Sequence, residues 1–370
     1  MRFRHGLLAA IAIIAVGAPP AIDNIRFAAL AQVPAAERSK TIEDLATKLT
    51  DRFVDPEVGK RYAAMLRANE ASGKYGAIAD DSAFAKQVTA DLQAVAFDGH
   101  LKLVVTKDDP LSGGAANAST KSTIPEAIEA SARLTPDIAY IRLGRFFGEP
   151  ENIAAIKKFL VDNQDAKVLI FDVRTHIGGG LDEMDAMFPL LFDKETVLVD
   201  MDTRASVDTP DNDPHLRRVA APDSVVRREH FVVPADGPHP LAKAKIYVLA
   251  SGRTGSAGEH FVLSLKRTHR ATIIGETTYG AGNYGDNVSI AGGFSAFIPV
   301  GRTFDPDTGK GWDYVGIAPN VAVPASEALV EALVRSGIPK AQAEALSAKY
   351  GPSPDAVSSK RKAPASVAGI

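Results

Sequence analysis

Apolar residues recur at three- and four-residue steps over the first part of the chain: Ile42, Leu45, Leu49 and Phe53 share one helix face. Pro56 interrupts the pattern, Tyr62, Met65 and Leu66 resume it, and Phe84, Val88, Leu92 and Val95 form a third amphipathic run. Three short helices with little strand signal predict a small helical N-terminal domain over 38–98. From Leu101 the period changes. Leu101–Val105, Ile138–Leu143, Lys167–Asp172, Thr196–Asp200, Lys245–Ala250 and Ala271–Gly275 read as strands. Helical patterns over Glu151–Leu160, Glu183–Leu191 and Ser256–Lys266 separate several of them. Strands that are apolar on both faces and alternate with helices predict an α/β core with parallel pairing. Gly285–Pro299 reads as antiparallel strands, and Ala325–Ser336 and Lys340–Lys349 as closing helices.

The ends and loops carry different signals. Met1-Arg-Phe-Arg-His followed by an uncharged apolar run from Leu7 to Ala18 has the form of a secretory signal peptide. That run is shorter than the roughly 20 residues of a membrane-spanning helix. Cleavage after Ala31 is the first candidate, after Ala18 the second, and an uncleaved anchor the alternative. The segment expected to be removed is 1–31, which makes the protein exported, periplasmic or secreted, with no stable membrane span after processing. Ser112–Ser122 reads as a flexible loop, and 351–370 as a disordered tail. Asp202–Pro234 reads equally well as an active-site loop or a short β excursion, and either it or Ser112–Ser122 could cover a site.

Composition narrows the chemistry. The chain of 370 residues has 42 Lys and Arg against 45 Asp and Glu, a net charge of -3, so it lacks the basic footprint of a nucleic-acid binder. It has no cysteine, which excludes disulfides, thiolate nucleophiles and cysteine-based metal sites. Three polar constellations remain. Asp172-Val-Arg-Thr-His-Ile-Gly178-Gly179-Gly180 lies between a strand and a helix, where glycines can present backbone N–H groups to an oxyanion or a phosphate. It lacks the Lys of a P-loop, and a plain tight turn is the other reading. Ser251-Gly-Arg-Thr-Gly-Ser256-Ala257-Gly-Glu259 also joins a strand to a helix; Ser256 can be an N-cap or a nucleophile facing the free N–H groups of the helix. A serine nucleophile needs a base and the base a carboxylate. His100 and Asp313 are candidates, but His176, His230, His260 and His269 are histidines too, and spacing alone does not choose.

Taken in order, Asp98-Gly-His100, the Asp172–Gly180 block, Thr254-Gly-Ser256-Ala-Gly-Glu259, Arg270-Ala-Thr-Ile-Ile-Gly-Glu276-Thr and Trp312-Asp313-Tyr-Val-Gly-Ile-Ala-Pro319 resemble peptidase family S41. The likeness covers about 41–325 and is nearer to the branch of the interphotoreceptor retinoid-binding protein repeats and the tricorn protease core. In the processing-peptidase branch a lysine after the serine is the base; its place is held by Ala281, so a Ser-Lys dyad is absent. The resemblance implies an α/β, ClpP/crotonase-like core of stacked β-β-α units over 99–325. A helical N-terminal domain would precede it and C-terminal helices over 326–350 follow, with no PDZ domain.

The resemblance further implies an exported serine peptidase acting on peptide or protein substrates through an acyl-enzyme. Ser256 would be the nucleophile, His100 the base and Asp313 the acid that orients it, with aspartate where the family's tricorn-like branch has glutamate. Gly179 and Ala257 would form the oxyanion hole, supported by Gly178, Gly180, Glu259 and Glu276, while Arg174 and Arg270 are expected to be structural ion-pair partners. No metal and no other cofactor is implied. The alternatives on the same fold are a non-catalytic protein that binds a hydrophobic ligand, as in the retinoid-binding repeats, and an esterase-like acyl hydrolase. Neither the cleavage preference nor the oligomeric state is readable.

Overall fold

The structure, a computed structural model, describes residues 35–78, 80–108, 126–210 and 213–358. The expected signal peptide over 1–31, the Ser112–Ser122 loop and the end of the C-terminal tail lie outside the described residues. Helices α1 (Ala35–Arg52), α2 (Pro56–Ala71) and α3 (Asp81–Val95) follow the predicted runs. Pro56 ends one helix by starting the next: it occupies the first turn of α2, where its missing N–H costs nothing, and Asp55 accepts the N–H of Glu57 at 2.9 Å.

Among the described residues the strands form two six-stranded sheets. In the first, β2 (Ile128–Thr135), β3 (Ile138–Leu143), β4 (Val168–Asp172), β8 (Lys245–Ala250), β9 (Ala271–Gly275) and β12 (Val321–Ala322) lie in the order β12-β9-β8-β4-β3-β2. All neighbours are parallel except β2 with β3. Alternate side chains explain the unbroken apolar runs. Leu169, Phe171, Ile246, Val248 and Ile273 pack with α4 (Pro150–Asp162), α5 (Asp182–Leu191) and α6 (Ala257–Arg267). Val168, Ile170, Tyr247, Leu249 and Ile274 pack with α7 (Ala328–Arg335) and α8 (Lys340–Tyr350).

The second sheet is antiparallel: β1 (Lys102–Val105), β11 (Phe294–Phe304), β5 (Thr196–Arg204), β7 (Val225–Val232) and β6 (Leu216–Val219), with β10 (Asn283–Ile290) also on β11. The N-terminal helices close their core on this sheet. Ile42, Leu45, Tyr62, Phe84 and Leu92 share one cluster with Leu101, Leu103, Ile290, Phe294 and Ile298. The helices and this sheet thus share one core on both sides of the expected boundary at 98/99.

Among its described residues Asp202–Pro234 carries the β excursion, strands β6 and β7. Its strands were hidden because they carry charges that pair across the sheet: Arg217 with Glu229 at 2.7 Å and Arg227 with the buried Asp202 at 2.7 Å. Two further expectations need correction. The tail is not disordered from 351: α9 (Pro354–Val357), capped by Ser353, docks the buried Val357. Among the described residues Arg270 makes no ion pair; its guanidinium donates to the backbone carbonyls of Leu191, Ala244 and Leu241. Arg174 makes one: it pairs with Asp172 at 2.6 Å, fully buried.

Candidate active site

The turn after β8 delivers Ser256. Ser251 Oγ donates to the Arg174 carbonyl at 2.6 Å and Thr254 Oγ1 to that of Val173 at 2.8 Å, so the turn is stitched to the one after β4. Gly255 N–H adds a bond to the His176 carbonyl at 3.0 Å. Held at both ends, Ser256 takes φ 53° and ψ -121°, a region that non-glycine residues seldom occupy and that costs about 1–3 kcal/mol. Helix α6 begins at the next residue.

The glycine run lies against this serine. A Cβ on Gly178 would stand 2.7 Å from Ser256 Cβ, and one on Gly179 would stand 1.6 Å from the Phe146 carbonyl oxygen, so neither position admits a side chain. The N–H groups around Ser256 can be accounted for one at a time. Gly178 donates to His176 Nδ1 at 3.1 Å, Gly180 to the Phe146 carbonyl, Ser256 to Glu259 Oε2 at 3.0 Å and Gly258 to the Gly255 carbonyl. Those of Gly179 and Ala257 have no acceptor among the described residues. His176 is a neutral spacer: burial pushes it down to about 3, and its ring stands edge-on to Phe146 at 4.2 Å.

Opposite lies the loop from Thr278 to Asn283, gripped by three carboxyl groups. Glu259, fully buried on α6, accepts from Thr278 Oγ1 and Gly280 N–H on one oxygen, and from Ala281 N–H and Ser256 N–H on the other. Burial pushes Glu259 up to about 7, and those donors oppose the rise. Asp313 Oδ1 accepts from Gly282 N–H at 2.9 Å; burial, then the charge of Asp98, push it up to about 8. Asp98 accepts the N–H groups of His100 and Leu101 on Oδ1 and the Asn283 amide at 2.8 Å on Oδ2. The His100 ring stacks on Phe297 at 5.0 Å. Burial lowers its pKa, while Asp98 and a hydrogen bond to the Asn283 backbone favour the charged form.

Ser256, His100 and Asp313 thus all border the Thr278–Asn283 loop, yet no hydrogen bond among the described residues joins any two of them; His100 Nδ1 is buried without a partner. Ala281, at the position of the missing lysine, contributes its backbone to Glu259 instead. Glu276 accepts from Ala325 N–H at 3.0 Å, fixing the end of β9. Sequence reasoning passed over Asp98 as an acid, although its place two residues before His100 is that of an aspartate capping its own turn. It also missed an apolar rim. Phe147, Ile177 and Tyr279, on the segments that border Ser256, and Phe97 and Val315, beside His100 and Asp313, are exposed. A cavity of about 490 Å³ opens beside Asp98 and Asn283, walled by Phe53, Tyr62, Arg227 and Arg302.

The profile of peptidase family S41 matches residues 137–323, from β3 through β12. The chain belongs to peptidase family S41. A second profile, the N-terminal domain of peptidase S41 in eukaryotic IRBP, matches residues 34–139 of this S41 chain. A curated relative, the chloroplastic carboxyl-terminal-processing peptidase 1 of Arabidopsis thaliana, is 25% identical over 176 residues, 47% of this chain and 31% of its own length. The match therefore spans about a third of that protein. Among solved structures, a candidate peptidase of Parabacteroides merdae superposes with a TM-score of 0.55 at 16% identity, covering 82% of this chain and 97% of its own. The tricorn protease gives 0.51 at 15% identity over 85% of this chain and 36% of its own. At such identities the likeness is one of fold: a ClpP/crotonase-like S41 core behind a helical N-terminal region. No helix among the described residues is long and apolar enough to cross a membrane.

Proposed function

We propose that this S41 chain is an exported serine peptidase that cleaves peptide bonds through an acyl-enzyme. One observation carries the reading: Ser256 is held at positive φ immediately before α6, and of the backbone N–H groups around it those of Gly179 and Ala257 lack an acceptor among the described residues. Ser256 Oγ attacks the scissile carbonyl as His100 removes its proton, and the oxyanion meets those two N–H groups. The imidazolium returns the proton to the leaving amine, and water repeats the sequence to release the acid. Asp313 stabilises the imidazolium when ionised. Glu259 positions Ser256 by bonding its N–H. Export rests on the basic start and apolar run ahead of the core.

The apolar rim supports a second reading, binding of a hydrophobic ligand without turnover, and the unjoined Ser256, His100 and Asp313 favour it too. An esterase would use the same groups on a different acyl substrate. A fluorophosphonate probe separates the first two readings. Labelling of the wild type at Ser256, lost in Ser256→Ala and weakened in His100→Ala, supports hydrolysis. A folded wild type that remains unlabelled overturns it. Peptide turnover by a wild type that labels then supports the peptidase, and ester turnover without peptide turnover the esterase.

A further inference from the structure

A second polar cluster lies outside the candidate catalytic groups and begins on the same helix as Ser256. His260, buried on α6, lies 2.7 Å from His230 Nδ1 through its Nε2, and His230 Nε2 lies 2.8 Å from Asp185 Oδ1 on α5. A carboxylate accepts, so His230 donates to Asp185 through Nε2, and its Nδ1 shares a hydrogen bond with His260 Nε2. The His230–His260 pair therefore backs one oxygen of a single acid. Its other oxygen, Oδ2, faces His215 Nδ1 at 3.7 Å, and Asp213 Oδ1 stands 3.1 Å from the same nitrogen.

We propose that Asp185, Asp213 and His215 bind a divalent transition-metal cation of the zinc type. Their donor atoms all lie within 4.8 Å of one another. Two ligands roughly 2.0–2.2 Å from a common ion are roughly 3.0–3.6 Å apart, so the 3.1 and 3.7 Å separations from His215 Nδ1 are close to that range, and the two carboxylate oxygens, within 4.8 Å, move into it on binding. The donors are one imidazole and two carboxylates, a borderline set that suits zinc better than the oxygen-seeking magnesium or calcium. The buried His230–His260 pair supplies what metal sites use to aim a ligand, an outer partner on the far oxygen of the coordinating carboxylate. Among the described residues the ion-pair partners of Asp185 are imidazoles, with no lysine or arginine on it. A cavity of about 800 Å³, lined also by Asp182 and Lys157, leaves room for water or a substrate group at the remaining positions. The ion ties the turn before β6 to α5, the helix that follows the glycine run, and through His230 to α6.

The test is calorimetric titration of the full chain, stripped with a chelator, with ZnCl2. The expected result is one Zn²⁺ per chain, with affinity lowered about 100-fold or more in His215→Ala and Asp213→Asn, beyond the 10–100-fold that loss of an outer partner brings. Mg²⁺ binds at least about tenfold more weakly. In the wild type, Zn²⁺ moves the His215 Nδ1 resonance and raises the unfolding midpoint. His215 and Asp213 are partly exposed, so the metal-free variants are expected to unfold with the wild-type midpoint. Absent or non-saturable Zn²⁺ binding overturns the proposal, as does affinity unchanged in both variants, Mg²⁺ as tight as Zn²⁺, or a His215 resonance that does not move.

Discussion

Ala281 N–H and Ser256 N–H donate to the same oxygen of Glu259, at 2.8 and 3.0 Å. One buried carboxylate thereby sets the distance between the candidate nucleophile and the loop that leads to His100 and Asp313. Where a lysine side chain would enter from position 281, this chain offers a backbone donor, and the buried acid on α6 receives it.

Glu259→Gln tests that arrangement. The amide keeps one acceptor oxygen and turns an NH2 toward two of the four donors, leaving buried N–H groups unpaired at about 1–3 kcal/mol each. Labelling of Ser256 by a fluorophosphonate is expected to slow by about 100-fold, the scale of a misplacement near 1 Å, and the urea midpoint to fall. A variant that labels at the wild-type rate would show that Glu259 does not position the serine.

Ser256 stores strain that glycine would release. At φ 53° and ψ -121° a side chain costs about 1–3 kcal/mol, partly offset by the extra entropy a glycine loses on folding. Ser256→Gly is expected to be more stable than Ser256→Ala by about 1 kcal/mol in urea unfolding, while both lose labelling. Equal stability would mean that the serine conformation is not strained in solution.

The buried Arg174–Asp172 pair anchors the start of the glycine turn, with Tyr140 OH on the second Asp172 oxygen at 2.8 Å and the Ala325 carbonyl under the guanidinium. Burial raises the Asp172 pKa, but the charge and hydrogen bonds of Arg174 outweigh it and hold the carboxyl below its usual range. Arg174→Met leaves that charge buried and is expected to cost about 3–5 kcal/mol. Adding Asp172→Asn should recover a large part of the loss, read from unfolding midpoints. A single variant as stable as the wild type would refute the anchoring role.

Strands β3, β8 and β9 were legible to the residue because both of their faces are largely buried and nearly all their positions are apolar, Arg142, Lys245 and Thr272 being the exceptions. The helix starts and the serine and glycine turns were legible because proline, glycine and serine constrain the chain locally. What escaped was long-range. The charged faces of β6 and β7 look like loop until Arg217 meets Glu229 across the ladder. His230 and His260 read as unrelated histidines until the sheet carries one against the other at 2.7 Å. No local signal could assign Arg270, whose charge is met by three carbonyls from two distant segments.

The pH dependence follows from Asp313. Burial, and then the negative charge of Asp98, push its carboxyl from the ordinary 3.8 up to about 8, so at neutral pH it is mostly uncharged and can do little for an imidazolium. If ionised Asp313 is the form that supports His100, peptide hydrolysis should rise as pH increases through about 8. Asp313→Asn, whose amide oxygen can still accept from Gly282 N–H, should lose that rise. Stability runs the other way. An acid whose folded pKa exceeds its unfolded one holds a proton in the folded state that the unfolded chain releases, so its contribution falls from about pH 4 to about pH 8 and is then flat. The variant should therefore show a shallower decline across that window in urea unfolding. A wild-type rate profile without a step near 8, or one that survives in Asp313→Asn, would remove Asp313 from the mechanism and leave Asp98, which already bonds the backbone of His100, as the acid nearest the base.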